Sequence, residues 1–166
     1  MQQQTEIFTV GHSNHPLDAF LDLLQKHGID LIVDVRSQPY SRWADQFNRE
    51  PFRDALRSAG FAYRYMGDTL GGRPQDPRFY EPGGTRPDYK RMQTVPAYRQ
   101  ALEHLIALAQ AQRIAVMCSE GDHRHCHRHL LITQSLLKES VRVQHIQTDG
   151  SLVEGEPEAE QLSLFG

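Results

Sequence analysis

A chain of 166 residues, 39% of them hydrophobic, is long enough for one well-packed domain, and a formal charge of −3 excludes a protein that coats nucleic acid by bulk electrostatics. Two cysteines exclude a disulfide framework and leave catalysis, metal binding or burial as their uses. No apolar run nears the roughly 20 residues of a membrane span, and Met-Gln-Gln-Gln-Thr-Glu lacks the charged and apolar regions of a signal peptide, which points to a cytoplasmic location without membrane contact.

Ile7, Phe8, Thr9 and Val10 form a short strand that ends at Gly11, His12 and Ser13. Pro16 then starts an amphipathic helix with Leu17, Phe20, Leu21 and Leu24 on one face. Residues 31–35 are a second strand, nearly all apolar as in a parallel sheet covered on both faces, and it delivers Asp34, Arg36 and Ser37 at its end. Asp34 inside such a run needs a partner. Pro51 begins a short helix that Gly60 stops, and residues 61–66 alternate as a third strand. Gly71 and Gly72 open a long Pro- and Gly-rich loop. Arg73, Arg78, Tyr80, Arg86, Tyr89, Lys90 and Arg91 there suit either a nucleic-acid strand or a solvated lid whose aromatics pack locally.

Residues 98–111 read as a helix, residues 114–117 as a strand with Cys118 at its end, residues 124–138 as a helix, and residues 141–146 as the last strand. This alternation predicts an α/β fold: a three-layer, Rossmann-like open sheet, mostly parallel, of about five strands. The domain is expected over residues 1–150, with a flexible acidic tail over residues 151–166. Ligands of such sheets bind beyond the carboxyl ends of the strands. That rule gathers His12, Ser13, Asp34, Arg36, Ser37, Gly71, Gly72, Cys118 and Glu120 along one edge.

Three chemistries fit that edge. The spacing of Cys118 and Arg124 is the Cys-x5-Arg of cysteine-dependent phosphatases, and Asp34-Val35-Arg36 is similar to rhodanese-type sulfurtransferases; in both, loop amides and a helix N-terminus would face the sulfur. A zinc or iron ion could draw on Cys118, His123, Cys126 and His127. A proton-transfer site would use Glu120, Asp34 and a histidine on a bound nucleotide or nucleic acid, DNA or RNA, with Arg36, Arg124 and Arg128 holding phosphates. Across these chemistries the expected catalytic residues are Cys118, Glu120, Asp34 and His12, and the expected substrate- or phosphate-binding residues are Ser13, Arg36, Ser37, Gly71, Gly72, Arg124, Cys126, His127 and Arg128.

Taken together, Gly11-His12-Ser13, Asp34-Val35-Arg36-Ser37 with Pro39 and Ser41, Leu70-Gly71-Gly72, and Cys118-Ser119-Glu120 followed by Cys126-His127-Arg128 resemble the bacterial family called domain of unknown function 488 (DUF488). The resemblance implies a Rossmann-like α/β fold and a site suspected to be enzymatic, with no reaction attached.

The tail carries a separate message. Past an acidic linker it ends in Gln161-Leu162-Ser163-Leu164-Phe165, which is similar to the peptide by which bacterial polymerases and repair proteins dock on the DNA sliding clamp. The resemblance implies that Leu162, Leu164 and Phe165 fill a hydrophobic groove while Gln161 hydrogen-bonds at its rim. The combined reading is a DNA repair or replication enzyme that processes nucleic acid or nucleotides and is docked on the clamp. Its rivals are a non-catalytic metal- or nucleotide-binding adaptor and a cysteine-dependent phosphatase or sulfurtransferase.

Overall fold

The computed structural model describes residues 4–84 and 86–158. The parallel strands are β1 (Glu6–Gly11), β2 (Leu31–Asp34), β3 (Ala62–Tyr65), β4 (Ile114–Cys118) and β5 (Arg142–Ile146); β1, β2 and β4 are mostly apolar runs, whereas β3 alternates and β5 mixes apolar with polar residues. A sixth, β6 (Leu152–Glu154), pairs antiparallel to β5 and completes the order β3-β2-β4-β1-β5-β6. The fold is therefore the expected mostly parallel Rossmann-like sheet, with one strand more than expected. All three residues of β6 are exposed, so no apolar signal announced it.

Period-two alternation divides the core between the two faces of the sheet. Phe8, Val10, Ile32, Ala115 and Met117 pack under α1 (Leu17–Lys26) and α2 (Arg49–Ser58), through Phe20, Leu24, Phe52 and Leu56. Ile7, Leu31, Val33, Ile114, Val116 and Val143 pack on the other face. There they meet Tyr98, Leu102 and Leu105 of a long helix, Pro96–Ala111, whose proline occupies the first turn where no amide hydrogen is needed. Two single-turn helices, Gly67–Leu70 and Tyr89–Met92, bracket the Pro- and Gly-rich loop. Phe79 and Tyr89 of that region pack against the core, as a lid with locally packed aromatics would.

The helix expected over residues 124–138 begins later. Asp122 accepts from the Arg124 amide and caps only a 3-10 turn, His123–His125, after which Cys126 is extended at φ −120°. Helix resumes at Arg128–Thr133 as a π-helical turn and continues as Gln134–Lys138. The widened turn exposes carbonyls five residues back: Thr133 Oγ1 donates to the Arg128 carbonyl at 2.6 Å and Gln134 Nε2 to that of His129 at 3.1 Å.

Residues 152–158, expected in the tail, are part of the domain. The Gly155 amide donates to the Val143 carbonyl, Gln134 brackets Glu156 and Glu158, and Glu158 accepts from His129. Residues 161–165 of the clamp-like peptide lie outside the described residues.

Candidate active site

The ends of β2 and β4 frame a cleft of about 350 Å³ lined by Arg36, Ser37, Gly72, Arg73, Tyr89, Cys118, Glu120, His125, Cys126 and His127. Residues distant in the chain are thus brought to one rim beside the Cys118 sulfur. Two glycines make the approach feasible. A Cβ at Gly11 would lie 1.8 Å from the Glu120 carbonyl, so only glycine lets the loop after β4 cross β1, and a Cβ at Gly72 would lie 2.5 Å from the His127 ring. Gly71 lines the neighbouring cavity, and its missing side chain makes room for Ser37 Oγ.

Cys118, at the end of β4, lies on the same face as Thr9 and the π-helical turn. Its sulfur accepts from Arg128 Nε at 3.1 Å. The Arg128 side chain is fully buried and spends its other donors inside the protein: Nη1 on Thr9 Oγ1 at 2.6 Å, and Nη2 on the carbonyls of Glu120 and Gly121 at 3.2 and 3.1 Å. No salt bridge to Arg128 occurs among the described residues. As a thiol, Cys118 donates to the Glu120 carbonyl at 3.5 Å. Burial alone pushes this thiol up, but the hydrogen bond from Cys126, the Arg128 charge and Nε–H, and backbone hydrogen bonding at Glu120 outweigh it, and the group sits below its ordinary value. Cys126 moves the other way, raised by the hydrogen bond it gives Cys118 and by burial, so it stays a thiol. Its sulfur also accepts from the Arg128 amide at 3.5 Å and lies 3.7 Å from His127 Nδ1. His127 Nε2 faces the Val35 carbonyl at 3.0 Å, and burial lowers this imidazole to about 4, so it is neutral and donates from Nε2.

A second network lies on the opposite face of the sheet. Asp34, fully buried, takes Arg36 in a two-pronged contact at 2.9 and 2.8 Å and the Tyr63 hydroxyl at 2.6 Å. The partner that Asp34 requires is therefore Arg36, two residues on. Arg36 Nη1 reaches His12 Nε2 at 3.3 Å, while His12 Nδ1 donates to the Ser13 carbonyl and its ring stacks on Phe47. Burial lowers His12 to about 4. Asp34 and His12 thus stand behind Arg36 rather than in the cleft.

Several expected roles are corrected. Arg124 does not reach the sulfur: it forks onto Asp122 at 3.0 and 2.9 Å in solvent, because the 3-10 turn carries it outward, and the Cys-x5-Arg arrangement is not formed. Arg128 takes the place at the sulfur and, being buried, is not available to a substrate phosphate. The loop after Cys118 is not a cradle of amides either, since the carbonyls of Glu120 and Gly121 turn onto Arg128. Ser13, His123 and Arg124 line a separate cavity of about 810 Å³ on the far side of that loop. His123 therefore does not join Cys118, Cys126 and His127, and among the described residues no group of three His, Cys, Asp or Glu side chains is placed to hold a metal ion.

Thr9, His129, His145 and Glu158 belong to the same network, and sequence reasoning missed Thr9, His145 and Glu158. Thr9 and His145 are register partners on β1 and β5, and their side chains meet at 2.5 Å. For Thr9 the signal was present, since it is a polar residue between Phe8 and Val10 in an apolar run; His145 lies in a strand that also carries Arg142 and Gln144 and gave no such signal.

The family model for the domain of unknown function DUF488 matches residues 16–134. The chain belongs to that family. No curated protein and no solved structure matches the chain.

Proposed function

We propose that the protein is an enzyme that uses Cys118 as a thiolate nucleophile on a nucleotide or nucleic-acid substrate, and that its C-terminal peptide brings it to the DNA sliding clamp. The observation that carries the chemical half is the contact between Cys118 Sγ and Arg128 Nε. A buried guanidinium needs a counter-charge, and with no carboxylate beside it among the described residues, ionisation of the neighbouring thiol supplies one. Cys126 donates to that thiolate, and Arg73, Tyr89 and His125 line the cleft in which a nucleotide would sit, with Arg73 supplying positive charge. The clamp half rests on Gln161, Leu162, Ser163, Leu164 and Phe165, which begin three residues beyond the Glu158 anchor. Tethering of this kind raises the local concentration of a weak activity at its substrate.

Ligand protection tests the substrate class. Saturating oligonucleotide or nucleotide is expected to slow alkylation of Cys118 by a neutral haloacetamide, with alkylation read by peptide mass. Unchanged rates with single-stranded DNA, duplex DNA, RNA and mononucleotides would reject a nucleic-acid ligand.

A sulfurtransferase is the second reading, favoured by the loop after Cys118, whose Glu120 and Gly121 carbonyls turn onto Arg128 and leave no cradle of amides for a phosphoryl group. It predicts thiosulfate turnover that Cys118→Ser abolishes.

A further inference from the structure

We propose that Thr9, His145, His129 and Glu158 form a positioning chain for the Cys118–Arg128 pair, so that the segment following β6, residues 155–158, is a component of the site. The inference rests on the thiolate reading of Cys118.

Donor and acceptor capacities fix the direction of every link. Arg128 Nη1 can only donate, so the Thr9 hydroxyl accepts it at 2.6 Å and turns its single proton to His145 Nδ1 at 2.5 Å. A neutral His145 then carries its proton on Nε2 and donates to His129 Nδ1 at 3.2 Å. His129 in turn donates from Nε2 to Glu158 Oε1 at 2.5 Å. An arginine at one end and a carboxylate at the other thus select one tautomer of each imidazole between them.

The surroundings keep His145 in its neutral state. His123 stacks on His145 at 4.0 Å and meets His129 edge-on at 5.3 Å, and its Nδ1 is held by Gln147. Burial, then His123, Arg128 and His129, lower His145 to about 2, while Asp122 and Arg124 act on His123 from the loop side. A protonated His145 could not accept from Thr9, and the Thr9 hydroxyl would lose its acceptor beside Arg128. Glu158 is the only member with appreciable exposure, a third of its side chain. Its amide is bound by Gln134 Oε1, and Gln134 Nε2 holds the Glu156 carbonyl, so the backbone of this segment is fixed independently of the carboxylate.

The test is the pH dependence of Cys118 alkylation in the full chain, resolved from Cys126 by peptide mass. Thr9→Val removes the link between Arg128 and His145 without changing shape, and Thr9→Ser restores a hydroxyl. Glu158→Ala removes the terminal acceptor from a partly exposed position where folding is not at stake, and Glu158→Gln restores an acceptor. Thr9→Val is expected to raise the midpoint and slow alkylation about tenfold at neutral pH, which corresponds to one pKa unit. Glu158→Ala should shift it the same way by a smaller factor, with both conservative variants near wild type. A depressed wild-type midpoint shared by Glu158→Ala would overturn the chain while sparing the thiolate. A wild-type midpoint at or above that of a free thiol would instead overturn the reading on which the chain rests.

Discussion

Arg128 and Cys118 stand ten residues apart in sequence and 3.1 Å apart in space, guanidinium Nε to sulfur. The extended backbone at Cys126 and the π-helical turn after it swing Arg128 beneath β4, where Cys118 and Thr9 emerge on the same face. Arg124, closer in sequence, is carried outward.

Replacing Arg128 by methionine, similar in length and uncharged, should destabilise the protein by about 3–5 kcal/mol, the usual cost of removing one partner of a buried charge pair. The Thr9 hydroxyl and two loop carbonyls lose their donor in the same step. Chemical denaturation checks this, and a change below about 1 kcal/mol would mean that the cation is not integral to the fold.

Cys126 is expected to alkylate far more slowly than Cys118, because its thiol is pushed up while its neighbour's is pushed down. Cys126→Ala removes a hydrogen bond to the thiolate and should slow Cys118 about tenfold at neutral pH, whereas Cys126→Ser, which keeps a donor, should restore most of the rate. Peptide-resolved alkylation measures both.

Acid should weaken the fold in a defined window. Burial lowers His12, His123 and His127 to about 4 and His145 to about 2, so each remains neutral in the native state after its unfolded counterpart has begun to take up a proton near pH 6.5. The unfolded state therefore binds more protons below that point, and stability is full above pH 6.5 and falls as pH drops toward 4. His12, His127 and His145 each withdraw at most about 1.4 kcal/mol per pH unit within the window. Denaturation midpoints at pH 7, 6, 5 and 4 check the trend, and His12→Gln should flatten it.

The clamp reading predicts that immobilised sliding clamp retains the wild-type chain, and that a Leu164→Ala/Phe165→Ala double change abolishes retention while thermal stability is unchanged. Equal retention of the two would reject docking through this peptide.

The central strands were legible because strands covered on both faces must be apolar, as residues 31–33 and 114–117 are, and β3 because its residues alternate. The rim was legible because parallel strands deliver their ends to one side, which brought Arg36, Gly72, Cys118 and Glu120 together. What lies beneath the rim was not. Peptide orientation after Cys118 is absent from composition, so the inward carbonyls could not be foreseen. The pairing of β1 with β5, which sets Thr9 against His145, depends on strand order rather than on either segment. Helix periodicity ran through Arg124 because the Asp122 cap looks the same whether a 3-10 turn or an α-helix follows.

The most direct measurement is the rate of Cys118 alkylation in the wild-type chain as a function of pH. A thiolate paired with Arg128 predicts a midpoint well below the free-cysteine value of about 8.5, with the rate already on its plateau at neutral pH. A rate that is still climbing tenfold per unit above pH 8 would show a protonated thiol beside an unneutralised arginine and contradict the nucleophile.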